Sequence, residues 1–283
     1  MEDFSNHPLY KKHTIDTAMD SLWKFYSSHF FVLFLISFVS LVAINFYNQT
    51  IDFNKLVEAA KTLQSDPEYL GEYMEVMKEI LWDMIPVFIL ILFVNVLLSQ
   101  YILRNPSHGN NIPGYFIGSL KYFLTYLIIL IVSAPLIMVA LAAGLVAIVI
   151  GVLFAIVWVF ALLSFTLPIL MAEGNDISRA ISGSFRLMHK NFWSNMGWTG
   201  VFIVIVLIMS FILSGLALIP FAGSFLQTLA NPDETAPIVE LGKNPIYLLM
   251  SAALSSLITP LYPIFSFILY FNGKARENIV QAV

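Results

Sequence analysis

Four long apolar runs mark the chain, at about residues 29 to 47, 82 to 103, 199 to 222 and 246 to 271. Each approaches or exceeds the roughly 20 residues that a helix rising about 1.5 Å per residue needs to cross a hydrocarbon core of about 30 Å. A fifth stretch, Tyr122 to Met171, has no charged side chain and is far longer than one crossing, so it must fold back. This predicts a third span at about 116 to 138 and a fourth at about 146 to 170. The turn between them falls at Ser133-Ala134-Pro135 or in the Ala142-Ala143-Gly144 region, where Pro or Gly weakens a helix. The pattern is that of an all-α polytopic membrane protein with six transmembrane helices arranged as three hairpins. An amphipathic segment at 1–28, expected to be cytoplasmic, precedes the membrane domain at 29–271, and a tail expected on the same side follows at 272–283.

Between the first two spans, residues 48–81 read as a helical lid. Phe53, Leu56, Val57, Ala60 and Leu63 recur at helical spacing, a stripe that packs on its own protein or offers a docking surface. Ser65-Asp66-Pro67-Glu68 then supplies a cap and a first-turn proline for a second helix running into the second span. The other loop on that side, 223–245, carries the turn signals Asn231-Pro232-Asp233 and Lys243-Asn244-Pro245.

A weak repeat links the segments before spans one and five. Ile15, Ala18, Met19, Lys24, Phe30 and Phe31 fall on Ile177, Ala180, Ile181, Arg186, Phe192 and Trp193, an offset of 162 residues. Chance similarity among apolar segments is the alternative. In the second copy Ile177, Ile181, Ser184 with Phe185, Met188 and Phe192 form one stripe, with Arg179, Arg186 and Lys190 elsewhere around the helix. That is the pattern of an amphipathic interfacial helix at headgroup level. Tyr115 to Tyr122 looks like a shortened third copy.

Charge supports the six-span count. Lys and Arg concentrate on the cytoplasmic side of membrane proteins, and six spans place ten of the fourteen basic residues together. These lie at Lys11, Lys12, Lys24, Arg104, Lys121, Arg179, Arg186, Lys190, Lys274 and Arg276. Reading 122–171 as one span instead leaves six basic residues inside and eight outside. The expected location is therefore a cell inner membrane, multi-pass, with both termini cytoplasmic. The opposite face collects acidic residues, including Asp52, Glu58, Asp66, Glu68, Glu72, Glu75, Glu79 and Asp83. It is a solvated surface, or a cap that binds cations or a partner.

Composition agrees, with 59% hydrophobic and 11% charged residues where soluble domains carry roughly a quarter charged. Cysteine is absent, which excludes disulfides, thiolate metal sites and cysteine nucleophiles. No cleavable signal peptide is visible before the first apolar run.

Membrane enzymes gather titratable groups or metal ligands at depth, and none of these residues sits in a span core. His7, His13, His29, His108 and His189 lie at span ends or in the segments expected to be cytoplasmic, and no nucleophile elbow, zinc-protease motif or phosphate loop occurs. No catalytic, metal-binding or cofactor-binding residue is assigned, and no cofactor is expected. A transporter would need polar groups or broken helices near midplane. The candidates are Asn95, Ser255, Ser256 and Thr259, beside Pro260 and Pro263, which must disturb the sixth span; the alternative for all of them is helix packing. Lys24, Arg179, Arg186 and Lys190 are candidate contacts for lipid headgroups.

Leu167-Pro168 closing a span, then Glu173, then Ala180-Ile181 with Ser184 and Leu187, then Asn191-Phe192-Trp193 opening the next span, resemble the membrane domain found beside bacterial glycerophosphoryl diester phosphodiesterases and in stand-alone relatives. In fused relatives a separate soluble barrel carries catalysis, and this chain has no room for one. The resemblance therefore implies a membrane module without the enzyme. The expectation is a noncatalytic integral membrane protein of a bacterial inner membrane, acting as scaffold, accessory subunit or lipid-interacting module, with a transporter or permease component as the alternative. Its expected partners are membrane lipids and other membrane proteins, and no nucleic acid. An enzyme acting on lipid headgroups, which would require Glu173, Asp176 and His189 to cluster, comes third.

Overall fold

A computed structural model describes residues 4–108, 111–146, 148–223, 226 and 242–281. The regular elements among them are helical, in the order α1 (Ile15–Ser28), α2 (Phe30–Asn48), α3 (Phe53–Ser65), a 3-10 turn (Pro67–Tyr69), α4 (Leu70–His108), α5 (Ile112–Val146), α6 (Ile148–Ala172), α7 (Ile177–Lys190), α8 (Phe192–Leu218), a second 3-10 turn (Ile219–Phe221), α9 (Pro245–Ser256) and α10 (Leu261–Gln281). Six helical stretches are long and apolar enough to cross a membrane, formed by α2, α4, α5, α6, α8 and the α9–α10 pair. The chain is an all-α polytopic membrane protein. The turn signals of 223–245 before Lys243 lie outside the described residues.

Local chemistry sets several boundaries. Asp52 caps α3 by accepting from the Asn54 amide at 3.2 Å, and Asp66 accepts from the Glu68 amide at 3.0 Å ahead of Pro67. The lid is thus a helical pair whose second member continues into the second span, as the sequence predicts. Asn244 caps α9 through the Ile246 amide at 2.9 Å, with Pro245 in the first turn.

The third and fourth spans meet elsewhere than at either predicted turn. Helix α5 runs through Pro135 and past Gly144 to Val146, and α6 begins at Ile148. In hydrocarbon, ending a helix strands backbone groups that no water can satisfy, so one proline is absorbed within it. Gly144 serves close approach: a Cβ there would stand 2.8 Å from the Gly151 carbonyl oxygen and 3.0 Å from the Ala155 Cβ. The sixth span does break where the prolines predict. Residues 257–260 form a turn between α9 and α10, bridged by the Leu261 amide donating to the Ile258 carbonyl at 2.9 Å.

The chain divides into two compact units. One comprises Met1–Phe34, Asn95–Ser210 and Ile258–Val283; the other comprises Leu35–Val94 and Phe211–Leu257. All ten basic residues assigned by sequence to one side fall in the first unit, and the remaining four (Lys55, Lys61, Lys78, Lys243) fall in the second. In the second unit Ile44, Ile51, Ile80 and Val87 form a core with Leu41, Leu56, Val76 and Leu90 against it, joining α2, α3 and α4. Leu56 of the lid stripe packs on its own protein, whereas Phe53 and Val57 remain exposed.

In the first unit the repeat is structural. Helices α1 and α7 have 14 residues each, and both boundaries keep the offset of 162. Thr14 caps the first and Asp176 the second. Their buried faces correspond position for position: Ala18, Ser21, Leu22, Phe25 and Tyr26 against Ala180, Gly183, Ser184, Leu187 and Met188. His29 and Asn191 end the helices, and the exposed aromatics Phe31 and Trp193 follow. The third, shortened copy is no separate helix, since Tyr115 to Tyr122 belongs to α5.

Candidate functional site

The site forms where α6, α7 and α10 meet in the first unit. After Ala172, Gly174 adopts φ 112°, a left-handed conformation suited to glycine, and turns the chain back. The Arg179 side chain donates from Nη1 to the Glu173 carbonyl at 2.6 Å, and its amide donates to Asp176 Oδ1 at 2.6 Å. Both bonds fix the start of α7.

Small residues then let α7 press onto its neighbours. A Cβ at Gly183 would stand 3.2 Å from Ile169 Cδ1, and a Cβ at Gly273 would stand 3.3 Å from Leu187 Cδ2. Ser184 and Thr166 hydroxyls meet at 3.2 Å. At the far end, Asn195 Nδ2 donates to the Leu187 and Met188 carbonyls at 3.0 and 2.9 Å, satisfying acceptors that a helix C-terminus leaves open. The centre of the amphipathic stripe therefore rests on protein, and only its flank of Ile177, Ile181 and Phe185 is half-buried. A stripe read from sequence does not distinguish lipid from protein as its partner.

The opposite face of α7 carries charge. Glu173, almost fully enclosed, receives a hydrogen bond from the Tyr270 hydroxyl at 3.2 Å and pairs with Lys274 at 2.7 Å. Glu277 stands among three cations, with Arg186 Nη2 at 3.7 Å, Lys190 Nζ at 3.6 Å and Lys274 Nζ at 3.6 Å. The Arg186 side chain is 58% exposed and that of Glu277 14%. Beside this cluster, the rings of Trp158, Phe185 and Phe192 surround His189 at centroid separations of 5.7 to 6.2 Å. Trp158 and Phe192 also border an apolar groove of about 410 Å³ with Ala140, Gly144, Gly151 and Phe154.

Arg179, Arg186 and Lys190 thus share one helix, and two of them converge on Glu277. Lys24 occupies the position of Arg186 in the other copy and pairs within its own helix with Asp20 at 2.8 Å. Sequence reasoning missed Lys274 and Glu277 as partners, because only the fold brings α10 to α7. It also missed that the N-terminal segment folds down: His7 Nε2 donates to the Ile102 carbonyl at 3.0 Å, and the His13 amide donates to Asn272 Oδ1 at 3.0 Å.

The polar residues proposed for midplane do not share one unit. Asn95 and Thr259 belong to the first, Ser255 and Ser256 to the second. The Asn95 side-chain oxygen is buried without a hydrogen-bond partner, while the Ser256 hydroxyl donates to the Ala253 carbonyl at 2.6 Å. Glu173, Asp176 and His189 are engaged separately, the last through Nδ1 with the Phe185 carbonyl at 2.9 Å. Among the described residues, no group of three or more His, Asp or Glu is placed to hold a metal ion. Comparison with family models, with curated proteins and with solved structures gives no match.

Proposed function

We propose that this is a noncatalytic membrane module whose α7 face binds anionic lipid at the cytoplasmic side of a bacterial inner membrane. One observation carries the reading: α7 has no acidic residue of its own, is locked on protein by its small-residue face, and turns Arg186 and Lys190 outward within a short distance along the chain of exposed Trp193. Cations held near the surface attract anionic headgroups, and tryptophan favours the headgroup level. The gathering of ten basic residues in one unit supports placing that unit at the cytoplasmic leaflet with both termini. Within the same unit the N-terminal segment pairs with α10 through His13, Asn272 and Arg276. The resemblance to the membrane domain of phosphodiesterase-linked proteins points the same way, to a module that works as scaffold or accessory subunit.

The test is the phospholipid that co-purifies with the full chain in mild detergent. Enrichment of anionic over zwitterionic lipid, lost in Arg186→Glu/Lys190→Glu, is expected. A lipid profile equal to that of the bulk membrane overturns the reading.

A second reading, a permease component, is favoured by the unpartnered Asn95 oxygen and the break at 257–260. Solute uptake into proteoliposomes that Asn95→Leu abolishes would support it, and absence of uptake would remove it.

A further inference from the structure

We infer that Arg186, Lys190 and Lys274 form a phosphate-binding site that Glu277 occupies as an internal substitute for the ligand. The inference rests on the lipid-binding reading of α7 and assigns the chemical group recognised and the residue that competes with it.

The geometry separates two kinds of ion pair in one cluster. Lys274 approaches Glu173 to 2.7 Å, a charge-assisted hydrogen bond in an enclosed setting. Glu277 meets Arg186, Lys190 and Lys274 at 3.6 to 3.7 Å, each beyond an ordinary hydrogen bond. One carboxylate thus stands among three cations without closing on any of them. Glu173 already answers Lys274, so Arg186 and Lys190 share a single negative charge between them. A phosphate has more acceptor oxygens than a carboxylate, and it matches both the forked guanidinium and the point charge of an ammonium.

The repeat supplies an internal comparison. Helix α1 carries Asp16 and Asp20, and Asp20 neutralises Lys24 from one turn away at 2.8 Å. In α7 the position matching Asp20 is Ser182, so the cation matching Lys24, Arg186, has no acid on its own helix. The counter-charge comes from α10, a different element, where Gly273 leaves room for Leu187: a Cβ there would stand 3.3 Å from Leu187 Cδ2. An anion supplied in trans and held loosely can be displaced by one that fits better. The docked face of α7 stays in place when that happens, because its anchors lie elsewhere: Gly183 and Ser184 on its buried side, and Asn195 of α8 at its C-terminal end.

The ligand class is therefore a phosphate monoester or diester, either the headgroup of an anionic phospholipid or free phosphate. The experiment titrates phosphatidylglycerol onto the full chain in nanodiscs otherwise made of phosphatidylcholine, with bound lipid read by native mass spectrometry. Glu277→Gln is expected to raise apparent affinity about fivefold, the scale of one solvent-screened charge pair. Glu277→Asp, which keeps the charge but shortens its reach, is expected to raise it less. Arg186→Ala/Lys190→Ala is expected to lower it. Inorganic phosphate that displaces the lipid at matched ionic strength assigns the site to the phosphate group itself, and failure to displace assigns it to a membrane-held headgroup. If the cation double variant loses binding while Glu277→Gln and Glu277→Asp, both folded, bind as the unaltered chain does, the substitution by Glu277 is overturned and the lipid reading survives. If the double variant also binds normally, both fall.

Discussion

The Glu173 carboxylate and the Lys274 ammonium stand 2.7 Å apart, with the glutamate side chain 7% exposed and the lysine 20%. A pair so enclosed contributes little net stability when complete, but removing one partner strands the other away from water. Lys274→Met should therefore destabilise the chain by about 3 kcal/mol. Glu173→Gln should cost less, because Tyr270 can still donate to the amide oxygen. The double variant should fall well short of the sum of the two. Unfolding midpoints in one mild detergent measure all three, and additive losses would show that the two side chains are not coupled.

The N-terminal segment should loosen in acid. His7 accepts the Leu9 amide at Nδ1 and donates from Nε2 to the Ile102 carbonyl, so both ring nitrogens are committed to the neutral form. Burial pushes its pKa down from 6.5 to about 4. Burial lowers His13 as well. For a group depressed in the folded state, stability is complete above the unfolded value and is lost as pH falls from about 6.5 towards about 4. The loss from His7 amounts to roughly 3 kcal/mol over that window. Amide-exchange protection at residues 7–13, taken relative to the intrinsic rate at each pH, should fall across it, and His7→Gln should flatten the response. Exchange that is equally protected at pH 7 and pH 4.5 would contradict this account.

Close packing in the α5–α6 hairpin gives a sharper contrast. A methyl group at Gly144 would meet the Gly151 carbonyl oxygen at 2.8 Å, and backbone cannot move aside as a flexible side chain can. Gly144→Ala should destabilise by about 1 to 3 kcal/mol. At Gly197, in α8, a Cβ meets nothing within 4 Å, so Gly197→Ala should be neutral or stabilising by up to about 1 kcal/mol through helix propensity. Thermal unfolding of the two variants side by side checks the difference. Equal effects would mean that α5 and α6 are not in contact at Gly144.

The spans and the lid were legible because their signals are local. Runs without charge define the first, and Asp52 and Asp66-Pro67 punctuate the second. The end of α5 at Val146 was not, because Pro135 and Gly144 carry the usual breaking signals while the lipid environment favours an unbroken helix. The repeat was visible in six positions but not in its meaning. Gly183 and Ser184 show their packing role only when Ile169 and Thr166 are seen against them. Glu277 gave no sign at all, since its role depends on α10 passing beside α7. Charge asymmetry between α1 and α7 was present in the letters, as Asp20 against Ser182, but it acquires significance only once the two helices are seen to share their boundaries and buried positions at the offset of 162.

Orientation can be tested directly because the chain contains no cysteine, so single cysteines can be introduced without background. Lys24→Cys, in α1, and Ser182→Cys, in α7, occupy exposed positions of the first unit; Lys61→Cys and Glu75→Cys occupy exposed positions of the second. The charge distribution predicts that a membrane-impermeant maleimide added to intact cells labels positions 61 and 75 and spares 24 and 182 until the membrane is opened. The reasoning is energetic: cations near span ends are retained on the cytoplasmic side, whereas carboxylates exert little control. Because six crossings return the chain to its starting side, a cysteine at Arg276 should behave as the one at Lys24 does. Labelling of positions 24 and 182 from outside would invert the orientation. It would also move Arg186 and Lys190 to the outer leaflet, and with them the phosphate site proposed for α7.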